Sequence, residues 1–100
     1  MANKPVRFHP EAEQEYLAAL SWYRDRSLIA ATNLENAGSK ALETIAKAPQ
    51  RWPKYFEKFR KYSLHRFPFG IIYQESASET IILAIAHGRR RPGYRRKRTQ

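Results

Sequence analysis

The sequence contains no cysteine, one methionine and four glycines among its 100 residues. Without a thiol there is no disulfide framework, no thiolate metal site and no cysteine nucleophile, as suits a reducing compartment. Long apolar runs are missing too. Nothing approaches the roughly 20 residues of a membrane-spanning helix, and residues 1–5 (MANKP) lack the apolar stretch of a signal peptide. A cytoplasmic protein that does not enter membranes is expected. The three histidines, His9, His65 and His87, have no histidine or carboxylate partners at ligand spacing, so neither a metal nor another cofactor is expected. Gly88 and Gly93 do not form a phosphate-loop pattern. Paired carboxylates are absent from the second half, where Glu75 and Glu79 read as turn surface.

What is present suffices for a core. Hydrophobic residues make up 42% of the chain and aromatic ones 13%, too apolar a composition for a disordered segment. The length suits one domain, expected over residues 1–94, with 95–100 as a basic tail. Charge is the more informative quantity. Six basic side chains in residues 1–50 are matched by six acidic ones, whereas residues 51–100 carry thirteen basic against three acidic. The formal charge of +10 therefore belongs to the second half. Charge segregated in this way points to an interaction surface for a polyanion or an acidic protein.

The pattern of apolar residues predicts the elements. Val6-Arg7-Phe8 alternates like a short strand, and His9-Pro10 ends it. Pro10 suits a first helical turn, with Glu11, Glu13 and Glu15 near the positive end of the helix. Ala12, Tyr16, Leu20 and Tyr23 share one face, flanked by Leu17 and Trp22. Asp25-Arg26-Ser27 breaks this pattern and offers N-cap candidates for a second helix. That helix has the stripe Ala30, Leu34, Gly38, Ala41, Ile45, Ala48 and is ended by Pro49. Gly38 within the stripe implies a close approach to a neighbouring element. Gln50 to Glu57 reads as a loop. Arg60 to Phe67 alternates as a strand, with Arg60, Tyr62, Leu64 and Arg66 on one face and Lys61 and His65 on the other. Ile71 to Gln74 and the apolar run Thr80 to Ala86 complete an antiparallel sheet, the last strand covered on both faces. The expected fold is α+β, in the order β-α-α-β-β-β, with a helical hairpin packed on the sheet.

Chemistry concentrates where the last strand ends. His87 is followed by Gly88, then Arg89, Arg90, Arg91, Pro92, Gly93 and Tyr94. Guanidinium groups offer forked donors to phosphate or carboxylate, and histidine and tyrosine can exchange protons. The plainer reading has the arginines solvated and Tyr94 packed on the sheet. Lys58, Arg60, Lys61, His65 and Arg66 form a second basic group, equally readable as an ordinary charged strand face. Trp22 and Trp52 are expected in core and loop packing.

Four segments, VRFHPEAEQEYLAALSWY, IAKAPQRWP, RFPFGIIYQ and ILAIAHGRRRPGY, together resemble the RelE/ParE toxins of bacterial type II toxin–antitoxin modules. Proteins described as plasmid stabilisation proteins belong to the same group. The resemblance spans nearly the whole chain. It implies a helical hairpin on a curved antiparallel sheet, a growth-arresting activity, and neutralisation by a cognate antitoxin. That partner is expected to be acidic and to dock an amphipathic helix on apolar surface of the hairpin or sheet. RelE-like members cleave messenger RNA on the ribosome without a metal; ParE-like members inhibit DNA gyrase. RFPF and AHGRRRPGY sit nearer the ParE-like branch, so gyrase inhibition is the expected function. RelE-like endoribonuclease activity is the alternative, and an inactive or plain nucleic-acid-binding relative a further one. For a nuclease, the resemblance implies His87, Arg89, Arg90 and Tyr94 as catalytic residues. Arg60, Lys61, Arg66, Arg91, Arg95, Arg96 and Arg98 would bind the nucleic acid or the target. Arg95 departs from many relatives, which have tryptophan there.

Overall fold

The computed structural model describes residues 4–87. Strand β1 (Val6–Phe8) leads into helix α1 (Pro10–Arg26), and helix α2 (Leu28–Lys47) follows after a single residue. A 3-10 turn, Pro49–Arg51, precedes β2 (Lys54–Phe56), β3 (Phe59–Ser63), β4 (Phe69–Glu75) and β5 (Thr80–His87). The five strands form one sheet in the order β1-β5-β4-β3-β2. The α+β architecture with a helical hairpin is the expected one, but three details differ.

First, the sheet is mixed. β1 runs parallel to β5, with Val6 opposite Thr80 and Phe8 opposite Ile82. The long connection that parallel neighbours require is here the helical hairpin together with β2, β3 and β4. Second, the segment expected as a loop contains β2, a three-residue edge strand paired with β3 through Lys54–Arg60 and Phe56–Phe59. Trp52-Pro53 hid this strand, because proline punctuates so strongly. Third, β3 stops at Ser63. The Leu64 N–H donates to the Phe69 carbonyl at 2.9 Å, and the chain then turns through Arg66, whose φ is 76°. Arg66 therefore does not share a strand face with Arg60.

Local chemistry explains the helix ends. His9 Nδ1 accepts from the Glu11 N–H at 3.1 Å, capping α1 with Pro10 in its first turn. Ser27 serves both helices. Its N–H donates to the Tyr23 carbonyl at 2.7 Å, closing α1. Its Oγ accepts from the Ala30 N–H at 3.1 Å, opening α2. One residue thus satisfies both sets of end groups and makes the hairpin tight.

The main core lies between the hairpin and the sheet. Leu34, Ala41 and Ile45 from α2, and Ala12 and Leu20 from α1, meet Ile71, Tyr73, Ile82 and Ile85 from the sheet. Phe59, Ile72, Leu83, Ala84 and Ala86 form a second cluster, so β5 is buried on both faces as its apolar run implied. The β4–β5 register steps by one residue between Ile72–Ala84 and Tyr73–Ile82, a bulge that bends and twists the strand pair. Glu15 Oε1 accepts from the Ile85 N–H at 3.0 Å, tying α1 to β5 beyond the end of β1. At the other end of the sheet, Lys4 pairs with Glu75, and Arg7 grips Glu79 through two bonds of 3.0 and 3.1 Å. Both carboxyls are held below their ordinary range, chiefly by these hydrogen bonds.

Gly38 is the close approach that the second stripe implied. A Cβ there would lie 2.8 Å from the Tyr16 hydroxyl and 3.2 Å from the ring. Alanine would gain about 1 kcal/mol in helix propensity but would force the stiff, half-buried tyrosine aside, at a cost of about 1–3 kcal/mol. The expected result for Gly38→Ala is a net loss of about 1 kcal/mol, a fall of roughly 4–8 °C in melting temperature. Tyr16→Phe in the same chain should restore part of it. A raised melting temperature for Gly38→Ala would refute the tight contact.

Candidate functional site

Among the described residues, the basic side chains of the second half do not converge in one cleft. Arg60 and Lys61 are neighbours on β3, so their side chains leave opposite faces of the sheet. Arg60 turns towards the hairpin side, where its Nη1 donates to the Trp52 carbonyl at 2.6 Å. There it also approaches Tyr73 and Glu75. Tyr73, pushed up to about 12 by burial, stays protonated and donates its hydroxyl hydrogen to the Pro49 carbonyl at 2.6 Å. Tyr73 thus holds the 3-10 turn, and Arg60 the Trp52 that follows it, against the sheet. Lys61 lies on the other face. Its chain crosses Gly70, where a Cβ would collide with it, and its Nζ sits 4.8 Å from the centre of the Tyr55 ring. Exposed Lys54 and Lys58 belong to the same β2–β3 hairpin. A cation over an aromatic ring, beside further lysines, forms a surface suited to anions.

A second cluster forms at the end of the sheet from which the arginine-rich segment departs. His87 closes β5 with its Cα opposite Phe69 of β4. Tyr23 of α1 packs edge-on to Phe67 at 5.5 Å and lies 6.4 Å from Phe69. Trp22 in turn stands edge-on to Tyr23 at 4.9 Å. The Arg26 guanidinium sits 3.7 Å over the Trp22 ring and donates to the Trp22 carbonyl at 2.9 Å. An aromatic chain therefore runs from the hairpin tip to the strand position facing His87. Arg66 lies in the turn before β4, next to Phe67 in this chain of contacts. Arg89, Arg90, Arg91, Tyr94, Arg95, Arg96 and Arg98 lie outside the described residues, as does the side chain of His87.

Trp22 was expected in the core, but it is 51% exposed. Leu17, Leu28 and Ile29 are exposed large hydrophobics as well, Ile29 at 75%. The signal for the tip was legible. Trp22 and Arg26 stand four residues apart on a helix, the spacing at which side chains meet. Leu28-Ile29 begins a helix whose buried stripe runs through other positions. Among the described residues, no group of three histidine, cysteine or carboxylate side chains is placed to hold a metal. Nor is any helix among them long and apolar enough to cross a membrane.

Comparison with known proteins places this architecture. Residues 6–92 match the model of a family described as the ParE toxin of the type II toxin–antitoxin system parDE. The chain belongs to the ParE toxin family. Among solved structures, a chain from the chromosomal ParDE system of P. aeruginosa shares the fold, with a TM-score of 0.61 and 20% identity. The alignment covers 84% of this ParE-family chain and 95% of the other. No curated protein matches it significantly. The matched span runs from β1 through the Arg89–Arg91 run to Pro92. Both clusters described above therefore lie within it.

Proposed function

We propose that this ParE-family toxin arrests growth by binding and inhibiting DNA gyrase, and that an acidic antitoxin neutralises it. Family membership over residues 6–92 carries the reading. The geometry of β3 favours binding over cleavage. Arg60 and Lys61 leave opposite faces, so no single reacting phosphate can touch both. Arg60 also spends a donor on the Trp52 carbonyl. In this reading Lys61 and Arg66, with Arg91, Arg95, Arg96 and Arg98, contact the gyrase–DNA complex. His87, Arg89, Arg90 and Tyr94 are binding groups rather than catalysts.

Induced expression in a bacterial host, with supercoiling measured beside primer-extension mapping of abundant messages, tests this directly. The expected result is growth arrest, inhibited supercoiling and intact messages. New cuts inside translated codons, with supercoiling unaffected, would instead make the chain a RelE-like endoribonuclease and return His87, Arg89, Arg90 and Tyr94 to catalytic roles. Normal growth would remove the toxin reading.

A further inference from the structure

We infer that the exposed stripe of α1 formed by Glu13, Leu17, Ser21 and Arg24 pairs antiparallel with the same stripe of a second copy, giving a reversible homodimer through the outer side of the hairpin. This goes beyond the toxin reading and does not depend on it.

The helix itself sets the stripe. Steps of four, four and three residues keep to one helical face, and all four side chains are exposed. Their order is acidic, apolar, small, basic. Turned end for end about a two-fold axis between Leu17 and Ser21, that order complements itself. Glu13 meets Arg24 of the second copy, Leu17 meets Ser21 of the second copy, and each contact occurs twice. Glu13 and Arg24 stand about 16 Å apart along the axis, so the ion pairs lie at the two ends of the contact and leucine against serine lies in the middle. Neither Glu13 nor Arg24 has an ion-pair partner among the described residues. Ala18, small and exposed beside the stripe, together with Ser21 leaves room for two helices to approach to about 8–10 Å. Leu17 is 50% exposed, while Ala12, Ala19 and Leu20 form the buried side of α1. A helix apolar on both sides is normally covered on both.

Charge and area select a second copy as the occupant. A partner of one sign satisfies only one end of the stripe, because an acidic segment opposes Glu13 and a basic one opposes Arg24. A surface with the reverse order of charges satisfies both ends, and the chain itself carries that surface. Net charge does not forbid the contact. The hairpin, residues 10–47, holds four basic and six acidic side chains, so it is the part of this +10 chain where two copies meet without an excess of positive charge. The outer side of two helices of 17 and 20 residues is about 25 Å long and about 20 Å wide, a footprint of about 500 Å² on each copy. That lies at the low end for specific interfaces. It suits a dimer that forms at micromolar concentration and separates on dilution.

Sedimentation equilibrium of the full chain across the micromolar range tests this, with circular dichroism showing that each variant is folded. The parent should show a reversible monomer–dimer equilibrium. Leu17→Glu, which acts at two symmetric contacts, should weaken the dimer by about 100-fold. Glu13→Arg and Arg24→Glu each bring like charges together at both ends and should weaken it by about 10-fold. Combining the two reversals in one chain exchanges the signs at both ends, so the double variant should dimerise like the parent. Mixing the two single variants should likewise give a heterodimer tighter than either homodimer, since E13R supplies two cations where R24E supplies two anions. A parent that stays monomeric throughout would overturn the proposal and leave the stripe to another protein. A dimer indifferent to Leu17→Glu would place the contact elsewhere and also overturn it. So would single reversals that weaken the dimer without recovery in the double variant or the mixture, because antiparallel pairing requires that recovery. None of these readouts involves growth arrest, so they stand whether or not the toxin reading does.

Discussion

Leu34→Ala should destabilise the protein by about 3–4 kcal/mol, towards the upper part of the range for leucine truncation in a core. Leu34 is 1% exposed, at the middle of α2, facing both α1 and the sheet. A narrow, wholly apolar crevice already lies beside it, lined in part by Phe8, Tyr16, Gly38 and Leu64. The walls are poorly placed to collapse into a new void. Gly38 is pinned against Tyr16, and Ile71 and Ile85 sit on paired strands. For a domain whose total stability is of the order of 5–15 kcal/mol, this loss is a large fraction. It corresponds to a fall of roughly 12 °C or more in melting temperature. Ile29→Ala is the contrast. The side chain is of similar size, but at 75% exposure its removal should change stability by less than about 0.5 kcal/mol. Thermal unfolding of the two variants side by side checks both. A small effect at Leu34, or a large one at Ile29, would mean that the hairpin packs on the sheet through another face.

The difference between Leu34 and Ile29 also shows what was legible in the sequence. The period of 3.6 marked Leu34, Ala41 and Ile45 as core, and the near-continuous run in β5 marked a strand covered twice. Ser27 was readable as a cap because a short polar side chain before a helix satisfies its free N–H groups. Beyond that the signals thinned. β2 is three residues long and follows a proline, so no alternation could develop. The break after Ser63 was hidden because Arg60 to Phe67 keeps alternating although the backbone turns at Arg66. Nothing local distinguishes a parallel from an antiparallel partner for β1, whose neighbour lies more than seventy positions away. Trp22 was misread for a related reason. A tryptophan beside an apolar stripe resembles core until the direction of the helix on the sheet is known. The charge segregation was plain, but which face each cation leaves depends on the strand and its register. Arg60 and Lys61 looked alike as residues; the fold gives one a backbone carbonyl and the other an aromatic ring.

Changing Arg89, Arg90 and Arg91 together to glutamate should abolish growth arrest at inducer levels where the parent is lethal, and should raise the concentration needed to inhibit supercoiling by about 1,000-fold. The reversal lowers the formal charge from +10 by roughly six, all within the segment that leaves β5. Two effects act in the same direction. Electrostatic steering towards an anionic target contributes about 10- to 1,000-fold to the association rate. A reversed charge also meets its partner with repulsion in the bound state, which costs several kcal/mol at a close contact. The melting temperature of the variant must be measured beside it, so that loss of activity is not loss of fold. The triple change to lysine then separates charge from geometry. Lysine keeps the sign but loses the planar fork that grips phosphate or carboxylate through two bonds. If the lysine variant arrests growth like the parent and weakens with salt to the same degree, the segment acts through its field alone. If it fails as the glutamate variant does, each guanidinium makes a directed contact, and single changes should rank the three. Full arrest by the glutamate variant would remove this segment from the mechanism. The basic face of β2 and β3, with Lys61 over Tyr55, would then be the surface that meets the target.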